Sequence, residues 1–333
     1  MSFQQPILAS FLALAAGAST AADGPVVIGL ITKTDTIPFF VAMREGAAAE
    51  ARARGAKLLT AAGKTVTDHP AQVTAVENMI AAGAQTILIT ASDTKAIVPT
   101  LRKAREKGVL VIALDTPTDP MDATDALYAT DNYRAGELIG QYAKAAFGER
   151  KPVIAMLDLV PGLSVGTQRH NGFLHGFGLK APDARSAEQG KDPLVVCTVD
   201  SFGDHAKGQT AMENCLQRNP DINLVYSVNE PAGAGAFNAL KNAGKERGVL
   251  IVSVDGSCEG VQYVRTGMIA ATSQQYPIKM AAMGVAAGVE YAKTGKKPSG
   301  YTDTGVTLIT DKAVTGVDSV DARTAAGQCW GGK

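Results

Sequence analysis

Seven polar side chains stand at the carboxyl ends of apolar, mostly β-branched runs: Lys33, Thr90, Asp115, Thr130, Asn229, Asp255 and Gln275. The set is mixed in sign and rich in groups able to make two hydrogen bonds at once, and it holds no nucleophile with an obvious base. A neutral polyol is the ligand that such a set suits. Each ring hydroxyl both donates and accepts, so planar Asp, Asn, Arg and Gln side chains spanning neighbouring hydroxyls satisfy it well. The C–H faces of a sugar ring rest on aromatic planes, and Phe39 with Phe40, and Phe202 with Tyr276 further along the chain, would offer such planes. A strand-terminal aspartate also serves as a helix cap, so Asp115 or Asp255 alone has a purely structural reading. Their equivalent positions in two series of elements favour binding.

Other chemistries fit less well. GAGAF at 233–237 has two glycines of a phosphate cradle, lacks the third, and lies within a helical pattern. GLSVG at 162–166 matches a nucleophile elbow in spelling, yet no acid and histidine follow in order at strand ends. His69, His170, His175 and His205 form no HExxH, and none stands at metal-ligand spacing from a cysteine. No cofactor, no metal and no catalysed reaction are therefore expected. Lys+Arg and Asp+Glu number 32 each, which argues against long-range steering of nucleic acid.

The elements that position these residues alternate along the chain. VVIGLIT (26–32) precedes helical periodicity over 39–54, TILIT (86–90) precedes 94–107, and VLVIALD (109–115) leads to LYATD and a helix from Tyr133. After Lys151 the alternation resumes: VIAMLDL before 167–179, VVCTVD before 206–218, LVYSVN before 232–243, and VLIVSVD before 259–266. Strands that are apolar throughout, each followed by a helix, predict parallel sheet covered on both faces, and two such series predict two α/β lobes. In open parallel sheets, ligands bind beyond the carboxyl ends of the strands, where the seven polar residues lie.

The N-terminus carries an apolar stretch, Ile7 to Ala16, then small residues before Asp23, and reads as an export signal over residues 1–22 although it lacks the usual basic start. In an exported chain, Cys197, Cys215, Cys258 and Cys329 are expected to form disulfides. Three connectivities are open, and Cys197 with Cys215 and Cys258 with Cys329 is preferred, because the first pair joins the end of a strand to the helix after it. Four reduced, partly buried thiols are the alternative. Trp330 is read as packing under the second bridge.

The ordered set TKTDTIPFFVAMREGAAAEA, ITASDTKAIVP, VIALDTP, ATDNYRAGELIG, QRHNGF, VNEPAGAGA, VSVDGS and AATSQQYP resembles the periplasmic monosaccharide-binding proteins of ABC importers, ribose/galactose type, with the fructose-binding branch most similar. The resemblance covers nearly all of the chain after the leader. It implies a type I periplasmic-binding-protein fold: residues 23–130 plus 276–304 forming an N-lobe, 131–275 plus 305–333 a C-lobe, and crossovers near Thr130, Gln275 and Thr304. It further implies one monosaccharide, fructose or a similar hexose or pentose, bound in the cleft by hinge closure, and an inner-membrane ABC permease as partner of a monomeric periplasmic protein. A periplasmic sensor presenting sugar to a chemoreceptor or histidine kinase is the alternative role.

Carried over residue by residue, the resemblance makes Lys33, Phe39, Phe40 and Asp115 the N-lobe contacts, with Thr90 weaker and Thr130 at the first crossover. Arg169 donates its fork to the ring oxygen and a hydroxyl, Phe202 stacks, Asn229 and Asp255 take the opposite edge, and Gln275 closes the site. Asp131 and Asn132 are expected to cap the next helix. Where many relatives have Asn before Pro-Phe-Phe, this chain has Ile37, with Asp35 as the residue that could compensate.

Overall fold

A computed structural model describes residues 24–184 and 186–332. The expected leader, residues 1–22, lies outside them. The first series runs β1 (Val27–Thr32), α1 (Pro38–Ala53), β2 (Lys57–Ala62), α2 (His69–Ala81), β3 (Thr86–Ile89), α3 (Val98–Glu106), β4 (Leu110–Leu114) and β5 (Ala126–Ala129). The second comprises α4 (Asn132–Phe147), β6 (Ile154–Asp158), α5 (Ser164–Phe177), β7 (Val195–Asp200), α6 (His205–Arg218) and β8 (Leu224–Ser227). It continues through α7 (Glu230–Asn242), β9 (Leu250–Asp255), α8 (Cys258–Thr266) and β10 (Ala271–Gln274). The chain then returns through α9 (Pro277–Thr294) and β11 (Gly300–Asp303), and closes with β12 (Thr307–Ile309) and α10 (Ala322–Ala325).

Two six-stranded sheets result, ordered β11-β5-β4-β3-β1-β2 and β12-β10-β9-β8-β6-β7. Pairing is parallel except for β12, which runs antiparallel to β10. The architecture is the two-lobed α/β arrangement read from the alternating pattern. The chain passes between the sheets three times: between β5 and α4, between β10 and α9, and between β11 and β12.

Each sheet is sandwiched because its strands are apolar on both faces. Leu88 of β3 packs with Ile28, Leu30, Met43 and Met280 under α1 and α9. Its neighbours Ile87 and Ile89 face the other way, against Val76 and Leu101 of α2 and α3. In the second lobe, Met156, Tyr226 and Val254 face α4 and α5, while Leu157, Val225 and Ile251 face α6 and α7. Helix starts follow local chemistry: Asp68, Asp131, Asp204, Asn229 and Ser257 each accept a backbone N–H in the first turn that follows, and Pro38 opens α1.

Four glycines bring α4 and α5 unusually close. A Cβ on Gly136 or Gly140 of α4 would collide with the carbonyls of Arg169 and Phe173, and one on Gly172 or Gly176 of α5 would collide with those of Tyr133 and Glu137. The four-residue spacing on both helices keeps the glycines on the touching faces. Disulfides join Cys197 to Cys215 and Cys258 to Cys329. Gly136→Ala is expected to destabilise the protein by about 1–3 kcal/mol, since backbone rather than a flexible side chain must give way. Chemical denaturation checks it, and a midpoint equal to the parent's would show that the helices separate at no cost.

Candidate functional site

The carboxyl ends of both sheets face one cavity. It has about 450 Å³ of empty volume, partly open to solvent, and is lined by Lys33, Phe39, Phe40 and Asp115 from the first lobe and by Arg169, Phe202, Asn229, Asp255 and Gln275 from the second. Ile37, Val66, Leu159, Leu163, Val165 and Gly203 complete the wall.

The turn after β4 places Asp115. Its φ of 61° is left-handed, and its N–H donates to Tyr128 O at 2.9 Å. Lys33 follows β1 directly. Its backbone N–H donates to Thr90 Oγ1 at 3.1 Å, and its Nζ donates to Thr116 Oγ1 at 2.7 Å and lies 3.7 Å from Asp115 Oδ2. Thr116 in turn donates to Asp115 Oδ2 at 2.7 Å. Burial pushes the Lys33 ammonium down to about 8, Asp115 opposes that fall, and the Arg169 charge adds to it.

Arg169 sits on α5 and is buried. Its Nε donates to Asn132 Oδ1 at 2.7 Å, Nη1 donates to Val228 O at 2.9 Å, and Nη2 points across the cleft to within 4.0 Å of Asp115 Oδ1. Asn132 is fixed by its own donation to Thr130 O at 3.1 Å. Asp131 alone caps α4, through Arg134 N–H at 2.9 Å, so the expectation that Asn132 shares the capping gives way to a role beneath the guanidinium. Resemblance alone pointed to Arg169, and nothing in the sequence pattern pointed to its support.

On the opposite edge, Asp255 Oδ1 accepts from Gln275 Nε2 at 3.0 Å, and the Gln275 carbonyl is held by Trp330 Nε1 at 2.8 Å. Trp330 is tied down by the Cys258–Cys329 bridge and by Cys258 N–H donating to Trp330 O at 2.9 Å. Its ring packs edge-on against Phe39, centroids 5.6 Å apart, and Phe39 meets Phe40 in the same way at 5.4 Å. Both phenylalanines therefore belong to the core of the first lobe and to the cavity wall at once. Asp255 is raised above the ordinary carboxylate range, chiefly by burial, while Arg169 and the Gln275 amide pull it back.

Asn229 lines the cavity but spends both ends of its amide within the protein. Its Oδ1 accepts from Ala232 N–H at 3.2 Å as the cap of α7, and Nδ2 donates to Gly203 O at 3.0 Å. Thr130 stands outside the lining: its hydroxyl donates to Gly305 O at 3.2 Å at the crossover. Thr90 is buried behind Lys33, and Tyr276 turns its hydroxyl to Thr307 at 2.8 Å, so neither reaches the cavity. Asp35 is exposed and also outside it, leaving Ile37 without a polar substitute.

Two observations mark this cavity as built for a ligand. Among the described residues, the non-glycine residues with positive φ are Asp115, Phe202 and Asp255, at 61°, 57° and 149°, and all three line it. Such conformations cost free energy and gather where a side chain must be aimed. Asp115 Oδ1 and Gln275 Oε1, buried acceptors on two of the lining residues, have no hydrogen-bond donor within the protein. Across the cleft mouth the lobes touch: Thr94 donates through its hydroxyl to Gly162 O at 3.4 Å, and Ser164 Oγ donates to Pro117 O at 3.3 Å. Among the described residues, no group of three or more His, Cys, Asp or Glu side chains is placed to hold a metal ion.

Residues 28–297 match the family described as periplasmic binding protein domain. The chain belongs to that family. It is 32% identical over 251 residues to the ribose import binding protein of Bacillus subtilis (strain 168), covering 75% of this chain and 76% of that one. The D-allose-binding periplasmic protein of Escherichia coli (strain K12) is 28% identical over 285 residues, 84% of this chain and 88% of that protein. A solved ABC transporter periplasmic solute binding protein from Actinobacillus succinogenes 130z, with bound D-allose, superposes with a TM-score of 0.76 at 25% identity, covering 91% of this chain and 99% of that one.

The apolar lining residues Val66, Leu159, Leu163 and Val165 escaped the sequence reading because Val66, Leu159 and Leu163 lie between elements and Val165 stands in the first turn of α5, where periodicity carries little signal. Their positions just after β2 and β6 were the available clue.

The elevated Asp255 carboxyl has a pH signature. Between the ordinary carboxylate range and the raised value, the folded protein holds a proton that the unfolded chain has lost, so stability from this group falls as pH rises from about 4 toward neutrality. Asp255→Asn removes the slope. The melting temperature of the variant relative to the parent is expected to climb between pH 4 and pH 8, and a flat difference over that range would rule out a raised Asp255.

Proposed function

We propose that this chain is the periplasmic binding component of an ABC sugar importer and takes one neutral monosaccharide in the cavity between its lobes. The carrying observation is a pair of buried, donor-less acceptors on lining residues, Asp115 Oδ1, 4.0 Å from Arg169 Nη2, and Gln275 Oε1. A sugar hydroxyl can donate to such an acceptor while its oxygen accepts from a guanidinium or ammonium, a combination that an amino acid side chain or a hydrocarbon does not repeat around a ring. Lys33 and Arg169 face Asp115 and Asp255, so the walls carry groups of both signs and favour a neutral ligand. Phe39, Phe40 and Phe202 supply ring faces, and Asn229 gives its remaining amide hydrogen. Relatives named for ribose and for allose support the sugar class. A pentose or hexose, fructose among them, is the ligand proposed.

The working units are residues 23–130 with 276–304, and 131–275 with 305–333, each carrying half of the site. Sugar bound between them favours the closed arrangement by contacts that exist only there, and an inner-membrane permease can then distinguish loaded from empty protein. Export through the leader at 1–22 places the monomer in the periplasm. The chain performs no reaction in this scheme.

A thermal-shift panel of D-ribose, D-allose, D-fructose, D-galactose, myo-inositol and ribitol, with amino acids and nucleosides as contrast, tests the reading. At least one neutral sugar or polyol is expected to raise the melting temperature in proportion to the logarithm of its concentration. A shift with an amino acid and none with any polyol would overturn it. For the support beneath Arg169, Asn132→Ala is expected to weaken sugar binding by about tenfold or more, equivalent to about 1.4 kcal/mol, in calorimetric titration. Unchanged affinity would mean that the guanidinium holds its place without Asn132.

A further inference from the structure

A second chamber adjoins the sugar-contacting residues. Ile37, Phe39, Gly203 and Asp255 also face this chamber, of about 1010 Å³, on the side of the cleft toward α7 and α8. Ile37 and Phe39 are hydrocarbon, and Gly203, at φ 65°, adds no side chain and packs closely under Asn229 and Leu159. Asp255 is the one side chain of that boundary with polar atoms, and one of its oxygens is taken by Gln275.

The chemistry of the outer chamber is legible from its walls. Asp204 and Glu259 are exposed into it, Tyr263 and Pro231 give it a flat apolar side, and His205 is its only basic member. Glu230, on its floor, is already saturated, accepting from Gly256 N–H, Ser257 N–H, Ser257 Oγ and Thr272 Oγ1. Asp204 Oδ1 already accepts from Lys207 N–H and Glu259 Oε1 from the Tyr263 hydroxyl, and the remaining carboxylate oxygens, without cationic donors, suit a hydroxylated or uncharged group and repel a phosphate or carboxylate. At Ile37 the inner cavity offers no hydrogen bond to a ring oxygen, so an oxygen there loses nothing by being substituted.

We infer that the preferred ligand is an uncharged O-glycoside: one sugar unit in the inner cavity, its oxygen at Ile37 carrying a second neutral ring that enters the outer chamber and lies against Tyr263. This rests on the sugar reading of the inner site and extends it to a substrate class. The second ring adds apolar contact on Tyr263 and Pro231 and hydrogen bonds to Asp204 and Glu259, while the first ring keeps every contact already assigned.

Calorimetric titration of the mature protein with D-ribose, D-allose and D-fructose, their methyl and phenyl glycosides, sucrose and lactulose decides the question, with D-ribose 5-phosphate as the anionic contrast. At least one glycoside or disaccharide is expected to bind about tenfold or more tightly than its parent sugar, and the phosphate more weakly. Thr36→Trp, which fills the outer chamber from an exposed position, and Tyr263→Ala, which removes its flat wall, are each expected to erase that advantage while leaving the parent sugar's affinity unchanged. Free sugars that bind while every glycoside fails would overturn the extension and leave the monosaccharide reading standing. Failure of all these ligands would remove both, and tight glycoside binding indifferent to both variants would place the second ring elsewhere.

Discussion

Arg169 is a buried cation, and the cleft is organised around keeping it there. Removing a guanidinium from water costs several kcal/mol unless its donors are paired and its charge is opposed. Nε and Nη1 are met within the second lobe, by Asn132 and the Val228 carbonyl, and the charge is opposed by Asp255 on its own lobe and Asp115 on the other. Much of the scaffold follows from that placement. The glycine contacts between α4 and α5 bring Asn132, at the start of one helix, within 2.7 Å of a side chain from the middle of the other. A bulkier residue at Gly136 would press on the carbonyl of Arg169 itself.

The same helix pair ties the site to the crossover. Asn132 is oriented by the Thr130 carbonyl, and the Thr130 hydroxyl reaches Gly305 in another of the passages between lobes. A change in hinge angle alters backbone at Thr130, and Asn132 is the side chain that would carry it to Arg169. Thr130 is thus linked to Arg169 through backbone and Asn132, without touching the cavity. On the far edge the C-terminal segment plays the comparable part: the Cys258–Cys329 bridge holds Trp330, which fixes the Gln275 backbone and packs on Phe39 of the other lobe.

What the sequence revealed depended on burial. Strands β3, β4, β6 and β8 are buried at every position, so each reads as a mostly apolar run, and the polar residues just after β4 and β8, Asp115 and Asn229, mark the cleft. Strand β2 lies at a sheet edge with no fully buried residue, and KLLTAA carries little pattern to read. The short β11 and β12, which exchange lobes after α9, are equally mute, since pairing across the molecule decides their existence. Tertiary placement also decided the side chains that were misread. Thr90 and Tyr276 stand at strand or crossover ends like their neighbours, yet a neighbouring backbone amide claims one and Thr307 claims the other. Asn132 has the sequence position of a capping residue, and only the approach of α5 gives it another partner.

Closure can be understood from one unsatisfied distance. Arg169 Nη2 and Asp115 Oδ1 face each other across the lobes at 4.0 Å, close enough for attraction and too far for a hydrogen bond, and the carboxylate oxygen has no other donor. A hydroxyl placed between them can donate to the carboxylate and accept from the guanidinium, completing both groups. In an open arrangement, water can do the same for each group separately. In the closed one, only a ligand oxygen already held by the rest of the ring serves both without the entropic cost of ordering a solvent molecule. Under the proposed sugar-binding role, the gap would act as the discriminator: the empty closed state would keep a buried, unpaired acceptor, and a bound sugar would pair it.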